Sequence, residues 1–152
     1  MKSESRRDIL KRGGILAVML NCGLLTLEQA RAAVDTQVFQ LKTMDETVKA
    51  LGGKPEESKD IELTSPDIAE NGAVVPIAVT SRIPKTEEIY ILVEKNPSPL
   101  TATFTLMEGT EPFVSTRTKM GQTSNIYAIV KADGKLYSAV KETRVTLGGC
   151  GG

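Results

Sequence analysis

Apolar residues recur at intervals of three and four from Gln37 to Leu51, at Val38, Leu41, Met44, Val48 and Leu51. That spacing places all five on one face of a helix. Thr36 precedes the run as an N-cap, and Gly52-Gly53 ends it. Pro55 to Asp60 is charged and reads as a linker. From Asp60 onward the period changes to two. Ile61 and Leu63 alternate with acids, and Val75, Ile77 and Val79 alternate with Val74, Pro76 and Ala78. Ile89, Ile91 and Val93 share one face, with Tyr90 and Leu92 on the other. Leu100, Ala102, Phe104 and Leu106 alternate with Thr101, Thr103 and Thr105, which predicts a half-buried strand. Phe113 to Met120 is Thr-rich and extended. Ile126 to Lys131 and Leu136 to Leu147 flank Asp133-Gly134, a strong hairpin pair. Asn96-Pro97-Ser98-Pro99 and Glu70-Asn71-Gly72 are turn sequences. About seven short strands with regular turns predict an all-β fold, an immunoglobulin-like antiparallel β-sandwich with a short N-terminal helix. The one-sided alternation favours antiparallel strands over a parallel sheet buried on both faces. Pro76 demotes its strand to an edge or a bulge. Such an edge either accepts a partner chain or is simply protected.

The segment before Gln37 follows a different logic. Ser5-Arg6-Arg7-Asp8-Ile9-Leu10-Lys11 looks like a twin-arginine export signal with Ile9 in the Phe slot, and Arg6 and Arg7 would be its defining pair. A mostly apolar run of thirteen residues follows, from Ile15 to Leu27. It suits the apolar region of a signal peptide and is too short to span a bilayer as a helix. Ala30-Arg31-Ala32 offers a small-residue cleavage site. The competing readings are an amphipathic helix of the mature fold and a lipoprotein anchor at Cys22. The latter wants a small residue where Asn21 stands. The division expected is therefore 1–32 as twin-arginine signal peptide, 33–59 as helix and linker, 60–147 as β-sandwich domain and 148–152 as tail. The compartment expected is the periplasm, with no membrane anchor.

Composition narrows the chemistry. The whole chain carries 19 basic and 19 acidic residues. The leader holds six of the bases and three of the acids, so the remainder has 13 and 16, a net charge of −3. That balance gives no sign of nucleic-acid binding. Histidine is absent, which excludes a Ser-His-Asp triad, a Cys-His dyad and any His-ligated metal. The two cysteines are too few for a four-thiolate metal site. No metal site, cofactor or catalytic residue is expected, and an enzyme acting alone is not the reading. Tryptophan is absent and aromatics are few, which disfavours a stacking platform for bases or sugars.

Candidate chemistry is confined to the C-terminus, Gly148-Gly149-Cys150-Gly151-Gly152. Four glycines around one thiol make ordering expensive, and a flexible tail is expected. With the leader removed, Cys150 would be the only cysteine, so no disulfide within the chain can form. An unperturbed thiol is mostly protonated at neutral pH. Nothing in the sequence holds a base or cation beside it. The role expected is a handle that partners activate.

The tail resembles the carboxy-terminal motif of the SoxY family, the sulfur-carrying subunit of bacterial thiosulfate-oxidising systems. Glu70-Asn71-Gly72-Ala73-Val74-Val75-Pro76 and Val93-Glu94-Lys95-Asn96-Pro97-Ser98-Pro99-Leu100 are similar to internal segments of that family, and the twin-arginine leader is a family trait. The resemblance implies that Cys150 covalently holds thiosulfate-derived intermediates and that Gly148, Gly149, Gly151 and Gly152 form a swinging arm. It implies a heterodimer with a SoxZ-like subunit. It further implies a haem-containing conjugating enzyme, a di-manganese hydrolase that releases sulfate, and a molybdenum and haem sulfur dehydrogenase as partners. Two other readings stand beside it. A ubiquitin-like sulfur carrier also ends in diglycine, but is cytoplasmic and has a packed helix after its first hairpin. A plain periplasmic binding module would carry the tail incidentally. Glu56-Glu57 and Glu87-Glu88 read as solvated surface.

Overall fold

The computed structural model describes residues 36–146, and the account below concerns the unit that begins at Val38. Its elements are one helix, α1 (Met44–Leu51), and nine strands: β1 (Glu56–Glu57), β2 (Ile61–Thr64), β3 (Ile68–Ala69), β4 (Val75–Ser81), β5 (Thr86–Val93), β6 (Leu100–Thr105), β7 (Phe113–Thr118), β8 (Ser124–Ala132) and β9 (Lys135–Val145). The fold is mostly β. One sheet runs β1-β9-β8-β5-β6, with β3 also paired to β9; the other runs β2-β4-β7.

The period-two runs behave as the alternation requires. Ile61 from β2, Val75, Ile77 and Val79 from β4 and Val114 from β7 meet Ile89, Ile91 and Val93 from β5 and Ile126, Ala128 and Val130 from β8 in one buried cluster. The two sheets thus face each other across a shared core. The central strands of the larger sheet are buried on their other face too. Tyr90, Leu92, Leu100 and Ile129 pack there against Val38, Leu41, Met44, Val48 and Leu51. The predicted split of β5, with Ile89, Ile91 and Val93 against Tyr90 and Leu92, is therefore real, but both faces are covered. The helical segment supplies the second cover.

That segment is not the single helix that the spacing predicts. Residues 36–38 are helical, the chain then turns, and α1 starts afresh after Thr43. Thr43 accepts a hydrogen bond from the Glu46 N–H at 3.3 Å, while its hydroxyl donates to the Glu46 carboxylate at 2.9 Å. This Thr-x-x-Glu pairing satisfies an otherwise orphaned amide and makes a new N-terminus favourable. The five apolar residues still reach one cluster because the break only re-aims the chain. At the other end Gly52 adopts φ 130°, with its N–H bonded to the Lys49 carbonyl at 3.3 Å. Glycine meets that left-handed requirement without strain.

Four further expectations need correction. The charged linker contains β1, whose Glu56 and Glu57 run parallel to Tyr137 and Ser138 of β9. The strands number nine among the described residues, because β1 and β3 are two-residue parallel additions to β9. Pro76 does not mark an edge strand. β4 lies at the centre of its sheet, paired on both flanks, but β2 ends opposite Ala78, so Pro76 faces a ladder on the β7 side alone. Leu100 does not share a face with Ala102, Phe104 and Leu106. A register shift lets Leu92 pair with Leu100 and Ile91 with Ala102, leaving Thr101 as the extra residue of a bulge. The Thr101 hydroxyl donates to the Ile91 carbonyl at 2.9 Å. Leu100 therefore turns to the helix side while its neighbours enter the core between the sheets.

The β8–β9 hairpin is as predicted. Ala132 pairs with Lys135 across a two-residue loop, with Asp133 at φ 49° and Gly134 at φ 75°. Positive φ at both loop positions is the type I′ pattern that matches the twist of the flanking strands.

Candidate functional site

The site is defined by where β9 leads. Its register with β8 closes at Ser124 opposite Thr143. Beyond that pair β8 no longer supports it, and three further described residues, Arg144, Val145 and Thr146, follow. A strand end in that position ordinarily frays.

Here a second segment takes over. Ser65 to Glu70 crosses beside the end of β9, and β3 pairs in parallel with it, Ile68 with Arg144 and Ala69 with Val145. The Arg144 N–H donates to the Asp67 carbonyl at 3.0 Å, and the Thr146 N–H donates to the Ala69 carbonyl at 3.1 Å. On the opposite flank the Val145 N–H donates to the Thr123 hydroxyl at 3.0 Å. The Thr146 hydroxyl donates to the Glu70 carbonyl at 3.1 Å. One turn inward, buried Thr143 donates to the Pro66 carbonyl at 3.0 Å and shares a hydrogen bond of 2.9 Å with Ser65. Lys141 reaches the Ser65 carbonyl at 2.6 Å and the Asp67 carboxylate at 3.0 Å. The Lys141–Asp67 ion pair adds little by itself, since Asp67 is 89% exposed.

No strand is predicted between Leu63 and the turn at Glu70-Asn71-Gly72. Pro66 and the turn that follows hide β3, and only the pair Ile68-Ala69 hints at extended backbone. A shallow depression beside it is lined by Asp67, Ile68, Glu142 and Arg144. Among the described residues no group of His, Cys, Asp or Glu is placed to hold a metal ion, and no helix is long and apolar enough to cross a membrane.

The remaining sequence-derived site residues, Cys150, Gly148, Gly149, Gly151, Gly152, Arg6 and Arg7, lie outside the described residues. What the structure fixes is the root from which the tail departs. Cys150 is the fourth residue after Thr146. Fully extended, that stretch reaches at most about 14 Å. Glu87-Glu88 departs from its solvated reading in one half. Glu88 is partly buried and accepts from the Tyr90 hydroxyl and, at 3.2 Å, from Lys131.

Two facing sheets, a helical cover and a last strand paired with β3 beyond its hairpin define a small, mostly β protein. The family model for sulfur oxidation protein SoxY matches residues 47–150, a span that includes Gly148, Gly149 and Cys150. The chain belongs to the SoxY family. The sulfur carrier protein SoxY from Chlorobium limicola f thiosulfatophilum is similar in structure, with a TM-score of 0.62 and 40% identity, covering 69% of this chain and 97% of that one. A superoxide reductase (neelaredoxin) from Ignicoccus hospitalis overlaps less, with a TM-score of 0.47 and 20% identity over 56% of this chain and 79% of that one. No curated protein matches the chain.

Proposed function

We propose that this protein is a periplasmic sulfur carrier that holds thiosulfate-derived intermediates on Cys150 and presents them to partner enzymes of a sulfur-oxidising system. The observation that carries the reading is the family match, which runs through to residue 150. The Chlorobium sulfur carrier, matched over nearly its whole length, adds support. In this reading an immunoglobulin-like sandwich is the body, and residues 148–152 are a swinging arm.

The chemistry follows from the residue types. Joining the Cys150 thiol to the outer sulfur of thiosulfate forms a sulfur–sulfur bond and releases one proton and two electrons, which a haem-containing conjugating enzyme would accept. Water then cleaves the bond to the sulfonate, releasing sulfate and a proton and leaving a persulfide; a di-manganese hydrolase would do this. A molybdenum and haem dehydrogenase would oxidise the remaining sulfur. The carrier brings neither oxidant nor base. Its glycines let the arm enter a narrow channel that any side chain would obstruct. A SoxZ-like subunit completes the heterodimer. Arg6 and Arg7 direct export by the twin-arginine route, and residues 1–32 are then removed.

Deleting residues 148–152 tests the reading. A carrier loses all thiosulfate-dependent turnover with its partners while keeping its melting temperature. A binding module with an incidental tail keeps its activity.

A further inference from the structure

The end of β9 is held more firmly than the fold requires. The hairpin with β8 ends at Thr143, yet each amide from Arg144 to Thr146 donates to a partner from elsewhere in the chain: the Asp67 carbonyl, the Thr123 hydroxyl and the Ala69 carbonyl. Side-chain fasteners repeat the pattern, with Thr143 on Pro66 and Thr146 on Glu70. Ala69 belongs to the core between the sheets and Val145 packs against it, but Ile68 is 58% exposed, and the bonds to Arg144 and Thr146 lie beyond what that burial accounts for. From Asp67 onward the segment's carbonyl hydrogen bonds go to Arg144 and Thr146, while Ser65 and Pro66 hold Thr143 and Lys141.

We propose that Ser65–Glu70, with Thr123 on the other flank, is a socket that fixes the root of the carrier arm at Thr146, making Thr143 and Thr146 positioning residues for Cys150. The proposal rests on the reading of Cys150 as the attachment point. Its physical content is a length. With the root at Thr146, four residues lead to Cys150; with the root lost back to Thr143, seven do. The reach grows from about 14 Å to about 25 Å. The concentration of the thiol at a docked enzyme's site falls with roughly the −3/2 power of that length, which is about twofold. A frayed root also loses the direction in which the arm leaves.

The experiment places nitroxide labels on Cys150 and on Lys135→Cys at the far end of β9, in the full chain carrying Cys22→Ser. Pulsed electron spin resonance then gives the distance distribution, and hydrogen exchange follows the amides of Arg144 to Thr146. In Thr123→Val/Thr146→Val, which removes two fasteners, the socket predicts a broadened distribution. It also predicts roughly tenfold faster exchange at those amides, with exchange in β5 unchanged. Thr146→Val alone gives a smaller change in the same direction, and Thr146→Ser restores the parent behaviour. An unchanged distribution in the double variant overturns the proposal, as does faster exchange without broadening. Sulfur loading is scored separately by intact mass. A tight root on a cysteine that never carries sulfur overturns the carrier reading and leaves the socket standing, whereas a loaded cysteine on an already loose root overturns the socket.

Discussion

Ser65 and Thr143 are joined hydroxyl to hydroxyl at 2.9 Å, both buried and 78 residues apart in sequence. The Pro66 carbonyl can only accept, so both contacts of Thr143 are satisfied together when Ser65 donates to it. The bond therefore has a direction, and the two partners are not equivalent.

That asymmetry gives the first prediction. Thr143→Val strands both the Ser65 hydroxyl and the Pro66 carbonyl and is expected to cost about 1–3 kcal/mol. Ser65→Ala leaves Thr143 with its Pro66 bond and costs about 1 kcal/mol or less. Urea unfolding of the two single variants and the double variant measures both costs and their coupling. Equal costs would contradict the double role of Thr143 as partner of both Ser65 and Pro66.

The hairpin loop gives the second. Gly134 sits at φ 75°, with nothing near enough to obstruct a side chain, so Gly134→Ala isolates the backbone strain from any clash. The expected loss is about 1–2 kcal/mol. Asp133→Gly at φ 49° relieves the same strain and should change stability little. Thermal unfolding of both variants checks this; a neutral Gly134→Ala contradicts the type I′ loop.

The third concerns the bulge at Thr101. It turns Leu100, 4% exposed, toward Val38 and α1. Leu100→Ala takes that packed leucine out of the helical cover and is expected to cost about 2–5 kcal/mol. Hydrogen exchange should show α1 losing protection before the β4–β7 pairing does. Equal loss in both places contradicts a separate helix-side cluster.

Much of this body was legible from the apolar pattern. Period two identified the main strands and both faces of β5, because each face meets its own apolar layer. The Asp133-Gly134 loop was readable because few residue pairs accept positive φ twice. Where the reading failed, the deciding interaction lay far off in sequence or below the resolution of a pattern. Thr101 looked like one more outward threonine, since one extra residue in a ladder leaves the alternation on paper intact. Thr43 carried a cap signal inside a run whose apolar spacing continued through it. Pro76 was compatible with a central strand only because β2 stops short, and strand length on a neighbour is not written beside the proline. The Ser65–Glu70 socket was invisible for the same reason: its partners lie more than seventy residues away. For the site, the cysteine and its glycines were read from composition and motif, while the residues that hold their root came only from the fold.

The most direct test is intact mass and C-terminal peptide mass of the protein recovered from cells oxidising thiosulfate. The carrier account predicts adducts of sulfur or a thiosulfate group on Cys150, removed by reductant and absent in Cys150→Ser. An unmodified Cys150 thiol throughout thiosulfate oxidation would contradict it.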